Sequence, residues 1–224
     1  MNIVKAGYEI LTPISEGGIE ELKHIEQVAR TCYKSEDKIT PDGESAKKMV
    51  KNLVSAGHEA MLEHSTLCVK FTVDRGISHE IVRHRIASYA QESTRYCNYA
   101  KDKFGNEITV IDIADGILLD PKMANLGIDT AGEVANAWVD AMEFAEKSYN
   151  KLIALGVSPQ IARSVLPNST KTEVVMTANY REWRNFFKLR TSIAAHPQIR
   201  EVAIPLLKEL QSRIPIIFDD IGAE

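Results

Sequence analysis

Between Leu67 and Val73 the chain alternates strictly, Leu67, Val69, Phe71 and Val73 against Cys68, Lys70 and Thr72. A period of two with one apolar face is the pattern of a half-buried strand. The segments around it read differently. Gly18 to Tyr33 places Ile19, Leu22, Ile25, Val28 and Ala29 at helical spacing, and Ser45 to Ala56 forms a second helix with Gly57 as its C-terminal cap. Glu133 to Leu155 carries Val134, Ala137, Trp138, Ala141, Ala145, Leu152 and Ile153 on one face, a stripe expected to be core or subunit interface. Ser158–Pro159 opens a short helix, Asn179 with Glu182 starts a helix from Tyr180 to Arg190 in the manner of a capping box, and Pro197 opens a last helix ending near Arg213. Residues 2–12 and Thr172 to Thr177 supply further strand patterns. Strands and helices mix without a regular βαβ alternation, which selects an α+β fold over a doubly wound parallel sheet. Lys101 to Asp129 reads as loops around a short strand, Ile108 to Ile113, so residues 1–224 are expected to form one domain with a central insertion.

Composition narrows the classes of partner. With 224 residues, 44% of them hydrophobic and 26% charged, the chain can bury a sizeable core. A net charge of −4 and a pI near 5.9 argue against a general nucleic-acid binder. No apolar run approaches the length of a membrane span, and MNIVKAGYEILTPI lacks the features of a secretory signal. Cys32, Cys68 and Cys97 are odd in number and contain no CxxC, so the expected setting is reducing and cytoplasmic, without a disulfide framework or zinc knuckle.

Against that mildly acidic background, RHRIASYAQESTR, residues 83–95, stands out. It gathers Arg83, His84, Arg85 and Arg95 with Ser88 and Ser93. Clustered arginines repel unless an anion lies among them, and their planar forks suit phosphate or carboxylate oxygens. A solvated basic face is the plainer alternative. Ile77, Ile81 and Val82 suggest a short helix leading into the segment, so that Arg83 and Arg85 lie where a helix opens into a loop. A second cluster, NYREWRNFFKLR over residues 179–190, sets Arg181, Asn185 and Lys188 near one helix face, with Trp183, Phe186, Phe187 and Leu189 as apolar bulk. The common phosphate loops GxGxxG and GxxxxGK[ST] are absent, as is the GxSxG elbow. HEAMLEH, residues 58–64, has the wrong spacing for an HExxH zinc helix, and no metal is expected. His24 and His79 read as surface or packing residues.

Arg83-His84-Arg85, seven residues, Ser93, one residue and Arg95 match the RHR-x7-S-x-R signature of the flavin-dependent thymidylate synthases. Gly57-His58 with Glu63-His64 resembles that family's GHxSxxEH stretch, and Ala162-Arg163 with Leu166-Pro167 its ARxxLP segment. Asn179, Arg181, Asn185, Leu189 and Arg190 resemble its C-terminal site helix. The resemblance implies the thymidylate synthase-complementing protein fold, a mixed or antiparallel sheet flanked by helices. It also implies a homotetramer with FAD and substrate at subunit interfaces. The implied reaction is reductive methylation of dUMP to dTMP, with methylenetetrahydrofolate as carbon donor and NADPH as reductant. By position, Arg83, His84, Arg85, Asn179, Arg181 and Asn185 would contact FAD, His58 would lie beside flavin and folate, and Gln91 would approach both ligands. Glu80, Arg83, Ser93, Thr94, Arg95 and Arg163 would hold dUMP. Arg190 would lie against the uracil ring as the catalytic cation.

Several positions depart from the family pattern. Ala60 replaces its hydroxyl residue, Ala90-Gln91 stands for Asn-Glu, His196 stands where glutamine is usual, and Glu80 where glutamine is frequent. A carboxylate at 80, near a nucleotide phosphate, needs Arg83 or a pyrimidine N–H as partner. Ser93 has no histidine or lysine base placed beside it in sequence, and an unactivated hydroxyl is a weak nucleophile. Ser93 is therefore assigned to binding, and hydride attack on a polarised uracil is the expected route. A flavoenzyme reducing another nucleotide or folate, and a non-catalytic nucleotide sensor, are the competing readings.

Overall fold

A computed structural model describes residues 1–99, 105, 107–123 and 125–222. The elements run β1 (Asn2–Val4), β2 (Gly7–Ile10), α1 (Ile19–Thr31), α2 (Glu44–Ser55), β3 (Thr66–Asp74), α3 (Arg75–Ile81), β4 (Ala87–Gln91) and β5 (Thr109–Ile111). They continue with α4 (Ala114–Leu119), α5 (Ile128–Ala154), α6 (Pro159–Ala162), β6 (Lys171–Asn179), α7 (Tyr180–Arg190) and α8 (Pro197–Arg213). β2, β3, β6 and β4 form a four-stranded antiparallel sheet in that order, while β1 and β5 pair in parallel. The expected α+β class, with a mixed sheet and flanking helices, is the observed one.

The alternation that opened the sequence reading sets the core. Leu67, Val69, Phe71 and Val73 of β3 are fully buried, as are Thr172, Val174 and Met176 of β6, whose Val174 lies opposite Phe71. Against this face α7 packs Trp183, Phe186 and Phe187, and α8 packs Leu206 and Leu210. The Phe71 ring lies 5.9 Å from Phe186 and 6.2 Å from Trp183. Each such buried aromatic contributes about 1.5–3 kcal/mol by area alone, so α7 is fixed to the sheet by its apolar face and its polar face is left for other work. Gly18 shows how tightly α1 meets the chain after α8. Its φ is +67°, and a Cβ there would lie 2.8 Å from the Ile214 Cα.

Two expectations need correcting, and a third is met in part. The stretch 101–129 is not simply loops around a strand. Although residues 101–104, 106 and 124 lie outside the described set, the rest includes β5, which stops at Ile111, and the helix α4. The Asp112 carboxylate accepts the Ala114 N–H at 2.9 Å, which ends the strand and starts that helix. The loop expected at Arg83–Arg85 gives way at Ala87–Gln91 to strand β4, because β6 offers an open edge to pair with. On α5 the apolar stripe is core in part: Trp138, Leu152 and Ile153 pack with Met142 and Tyr149 in a second apolar cluster. Met142 and Tyr149 are buried, Val134 and Trp138 are half-buried, and Ala137 and Ala141 are exposed.

Candidate active site

The two arginine-bearing segments meet because β4 pairs with β6. Ala87 lies opposite Ala178, so Arg83–Ile86 run beside the point where β6 turns into α7. The Asn179 side chain accepts the Glu182 N–H at 2.9 Å and caps α7, as its position implied. Glu182 itself turns to His84 Nδ1 at 2.8 Å instead of closing a capping box.

His84 is buried against the Phe186 ring, with centroids 5.0 Å apart. Burial, reinforced by the Arg190 charge, holds its pKa below the usual 6.5 against the opposing pull of Glu182. A neutral imidazole has one donor and one acceptor nitrogen. Nδ1 donates to the carboxylate, and Nε2 accepts the Arg190 Nε–H at 3.1 Å. Arg190 also donates from Nη1 to the Glu80 carboxylate at 2.5 Å and from Nη2 to the Glu80 carbonyl at 3.1 Å. The partner that Glu80 needs is thus Arg190 and not Arg83.

A cavity of about 440 Å³ opens beside this network, lined by Ile86, Asn179, Arg181, Glu182, Asn185 and Lys188 with Glu59 and Glu63. Arg181 pairs with Glu63 at 2.5 Å, and the Lys188 ammonium stands 3.6 Å from Glu59. Arg83 and Arg85 are exposed, and among the described residues no side chain pairs with either. His58 owes its place to a Schellman turn: Gly57 has φ +71°, its N–H donates to the Val54 carbonyl, and the His58 N–H donates to Leu53 at 2.8 Å. It stands exposed at the head of the turn that carries Glu59 and Glu63.

A second cavity, about 450 Å³, is walled in part by α3 and contains no carboxylate among its lining residues. Thr94 and Arg163 face it, joined by a 3.1 Å bond from Arg163 Nη1 to Thr94 Oγ1, together with Arg75, His79, Gln160 and Asn168. Arg75 Nη1 is buried and has no hydrogen-bond partner, a costly state unless an anion meets it. Nearby, Ser93 Oγ accepts the Arg95 N–H at 3.3 Å, and the Arg95 guanidinium lies 5.5 Å from the centre of the Tyr96 ring. Gln91 points its amide N–H at Ser78, 2.9 Å away.

Sequence reading missed Arg75, His79 and Glu182 as site residues. The first two are four apart on α3 and so share a face, but nothing in the linear sequence links them to Arg163. Of the departures from the family pattern, His196 serves as a cap, accepting the Gln198 N–H at the start of α8. Ala60 sits exposed in the turn after His58. Among the described residues no three His, Cys, Asp or Glu side chains gather as a metal site, and no helix is long and apolar enough to cross a membrane. Neither cavity is lined by a cysteine.

Fold and cavities define an α+β protein with two cation-bearing clefts, one of them beside a buried imidazole. Residues 19–216 match the family described as thymidylate synthase complementing protein, and the chain belongs to that family. Flavin-dependent thymidylate synthases of Corynebacterium aurimucosum and Mycobacteroides abscessus are 34% and 32% identical to it, over 92% and 88% of this chain and 82% and 78% of theirs. A UMP/dUMP methylase, PolB from Streptomyces cacaoi, solved with 5-Br dUMP, shares the fold with a TM-score of 0.78. That match covers 98% of this chain and 96% of the other at 23% identity. The resemblance carried by Arg83–Arg85 and Ser93–Arg95 thus extends over most of the chain.

Proposed function

We propose that this protein methylates dUMP reductively to dTMP, with FAD as cofactor, methylenetetrahydrofolate as carbon donor and NADPH as reductant, releasing tetrahydrofolate. In this reading it acts in the cytoplasm as a homotetramer whose sites are shared between subunits. One observation carries it. Arg83 and Arg85 stand exposed and unneutralised in the segment that leads to Ile86, which lines one cavity together with Asn179, Arg181 and Asn185, the residues that family resemblance assigns to the flavin. Two free guanidiniums with neighbouring amides suit a diphosphate, so these residues fit FAD. When bound, FAD supplies the hydride that no side chain can deliver.

The chain's own residues do the rest. The carboxylate-free cavity suits the nucleotide phosphate, with Arg163, Thr94 and Arg75 in its wall and Ser93 and Arg95 adjoining Thr94 in the chain. Arg190, already bonded to His84 and Glu80, keeps one N–H on each terminal nitrogen for the pyrimidine. A fixed cation there stabilises negative charge on the ring and polarises its C5=C6 bond. The test is direct: purified protein should be yellow and should oxidise NADPH and form dTMP only when dUMP and the folate are present. A colourless protein that takes up no added FAD would remove the proposal.

A further inference from the structure

We infer that His84 is a positioning residue for Arg190, with Glu182 fixing the imidazole so that its Nε2 lone pair holds the guanidinium plane in the site. This rests on the reading of Arg190 as the cation facing the pyrimidine, and it gives a task to a residue that family position assigns to the flavin. The His84 side chain is 3% exposed and that of Glu182 9%, whereas Arg83 and Arg85 on either side of His84 are exposed. The histidine of the RHR triplet therefore turns inward while its neighbours turn outward.

The chemistry requires one tautomer. Nε2 can accept from the Arg190 Nε–H only while the ring proton resides on Nδ1, and the 2.8 Å bond to Glu182 keeps it there. A proton on Nε2 would set two donors face to face and release Arg190. The groups facing the ring are Glu182 and Arg190 of α7, with Glu80 of α3 beyond Arg190; Tyr89 of β4 donates its hydroxyl to the His84 carbonyl at 2.6 Å. A neutral imidazole is well suited to the work, because it orients the guanidinium without cancelling its charge. A carboxylate in the same place would put a second anion, beside Glu80, on the one guanidinium that the ring chemistry needs.

His84→Phe keeps the ring against Phe186 but removes the acceptor, and His84→Gln offers an amide oxygen in place of Nε2. Steady-state kinetics of the flavin-loaded enzymes should show kcat about 10- to 100-fold lower for His84→Phe, the worth of one bond to a charged group. KM for dUMP and flavin content should stay at the native values. His84→Gln should recover most of the rate. The native kcat should fall on the acid side as the imidazole protonates, and that limb should be missing from His84→Gln. Native kcat in His84→Phe, equal losses in both variants, or loss of flavin from either would overturn the inference. Should His84→Phe not fold, persistence of the native acid limb in His84→Gln overturns it on its own. Arg190→Ala, measured in parallel, separates the two levels. If it turns over normally the reading of Arg190 has failed, and if it is inactive while His84→Phe is not, only the positioning role has.

Discussion

Arg184→Met should lower the melting temperature by about 5–20 °C, and the reason lies in what one buried guanidinium joins. The Arg184 side chain is 1% exposed and extends from α7 to the segment that follows α8. It donates to both oxygens of Asp220, at 2.6 and 2.7 Å, to the Ile217 carbonyl, and from Nε to Glu59 at 3.0 Å. Asp220 is 48% exposed, so although Arg184 holds its carboxyl below the ordinary range, that pair is screened and contributes about 0.5–1 kcal/mol. The Ile217 carbonyl belongs to a fully buried residue, and leaving it without a donor costs about 1–3 kcal/mol. Glu59 keeps only the longer contact with Lys188, which adds about 1 kcal/mol. Methionine refills most of the apolar stem. The total is about 2.5–5 kcal/mol, and a protein of this size loses about 2–4 °C per kcal/mol. Asp220→Asn removes only the screened pair and should cost about 2–4 °C. Differential scanning calorimetry of both variants checks this. Equal shifts, or less than about 3 °C for Arg184→Met, would refute the claim that the carbonyl and not the ion pair dominates.

Glu201, pushed up to about 7 first by burial and then by the charges of Asp115 and Asp112, should respond to pH in a definite sense. Its protonated form is favoured by folding, so its contribution is full below the ordinary glutamate range and is lost as pH rises towards 7. Glu201→Gln should therefore raise thermal stability at pH 8, by at most about 3 kcal/mol, and leave it unchanged near pH 4; the same shift at both values would contradict the assignment. Arg75→Ala should raise KM for dUMP about tenfold or more while flavin stays bound, as substrate saturation curves and absorbance spectra would show. Cys32, Cys68 and Cys97 should each tolerate replacement by serine with turnover retained, and a folded, flavin-loaded variant without activity would return a thiolate to the mechanism.

Local patterns proved the most legible. Strand β3, the Gly57 cap and the Asn179 cap could be read from neighbours within a few residues, because each is decided by local geometry. The shared face of Arg181, Asn185 and Lys188, which line one cavity together, was legible for the same reason. What stayed hidden depends on pairing across distance. Strand β4 exists because β6 has an edge to offer, and the parallel contact of β1 with β5 joins residues over a hundred positions apart. Glu80 could not declare Arg190 as its partner, nor Glu182 declare His84, since such bonds are fixed by how α3 and α7 pack. The stripe on α5 satisfied helical periodicity, yet Ala137 and Ala141 are exposed while Trp138, Leu152 and Ile153 pack on a second apolar cluster, and periodicity does not say what covers a face.

The central claim is that a bound flavin, and not the folate, delivers the hydride that completes the methyl group. The deciding measurement is chromatography of the folate after a limited reaction with the purified enzyme, dUMP, methylenetetrahydrofolate and NADPH, with no dihydrofolate reductase present. The expected result is tetrahydrofolate formed one-for-one with dTMP, with one NADPH oxidised for each. Dihydrofolate accumulating one-for-one with dTMP, without consumption of NADPH, would contradict it.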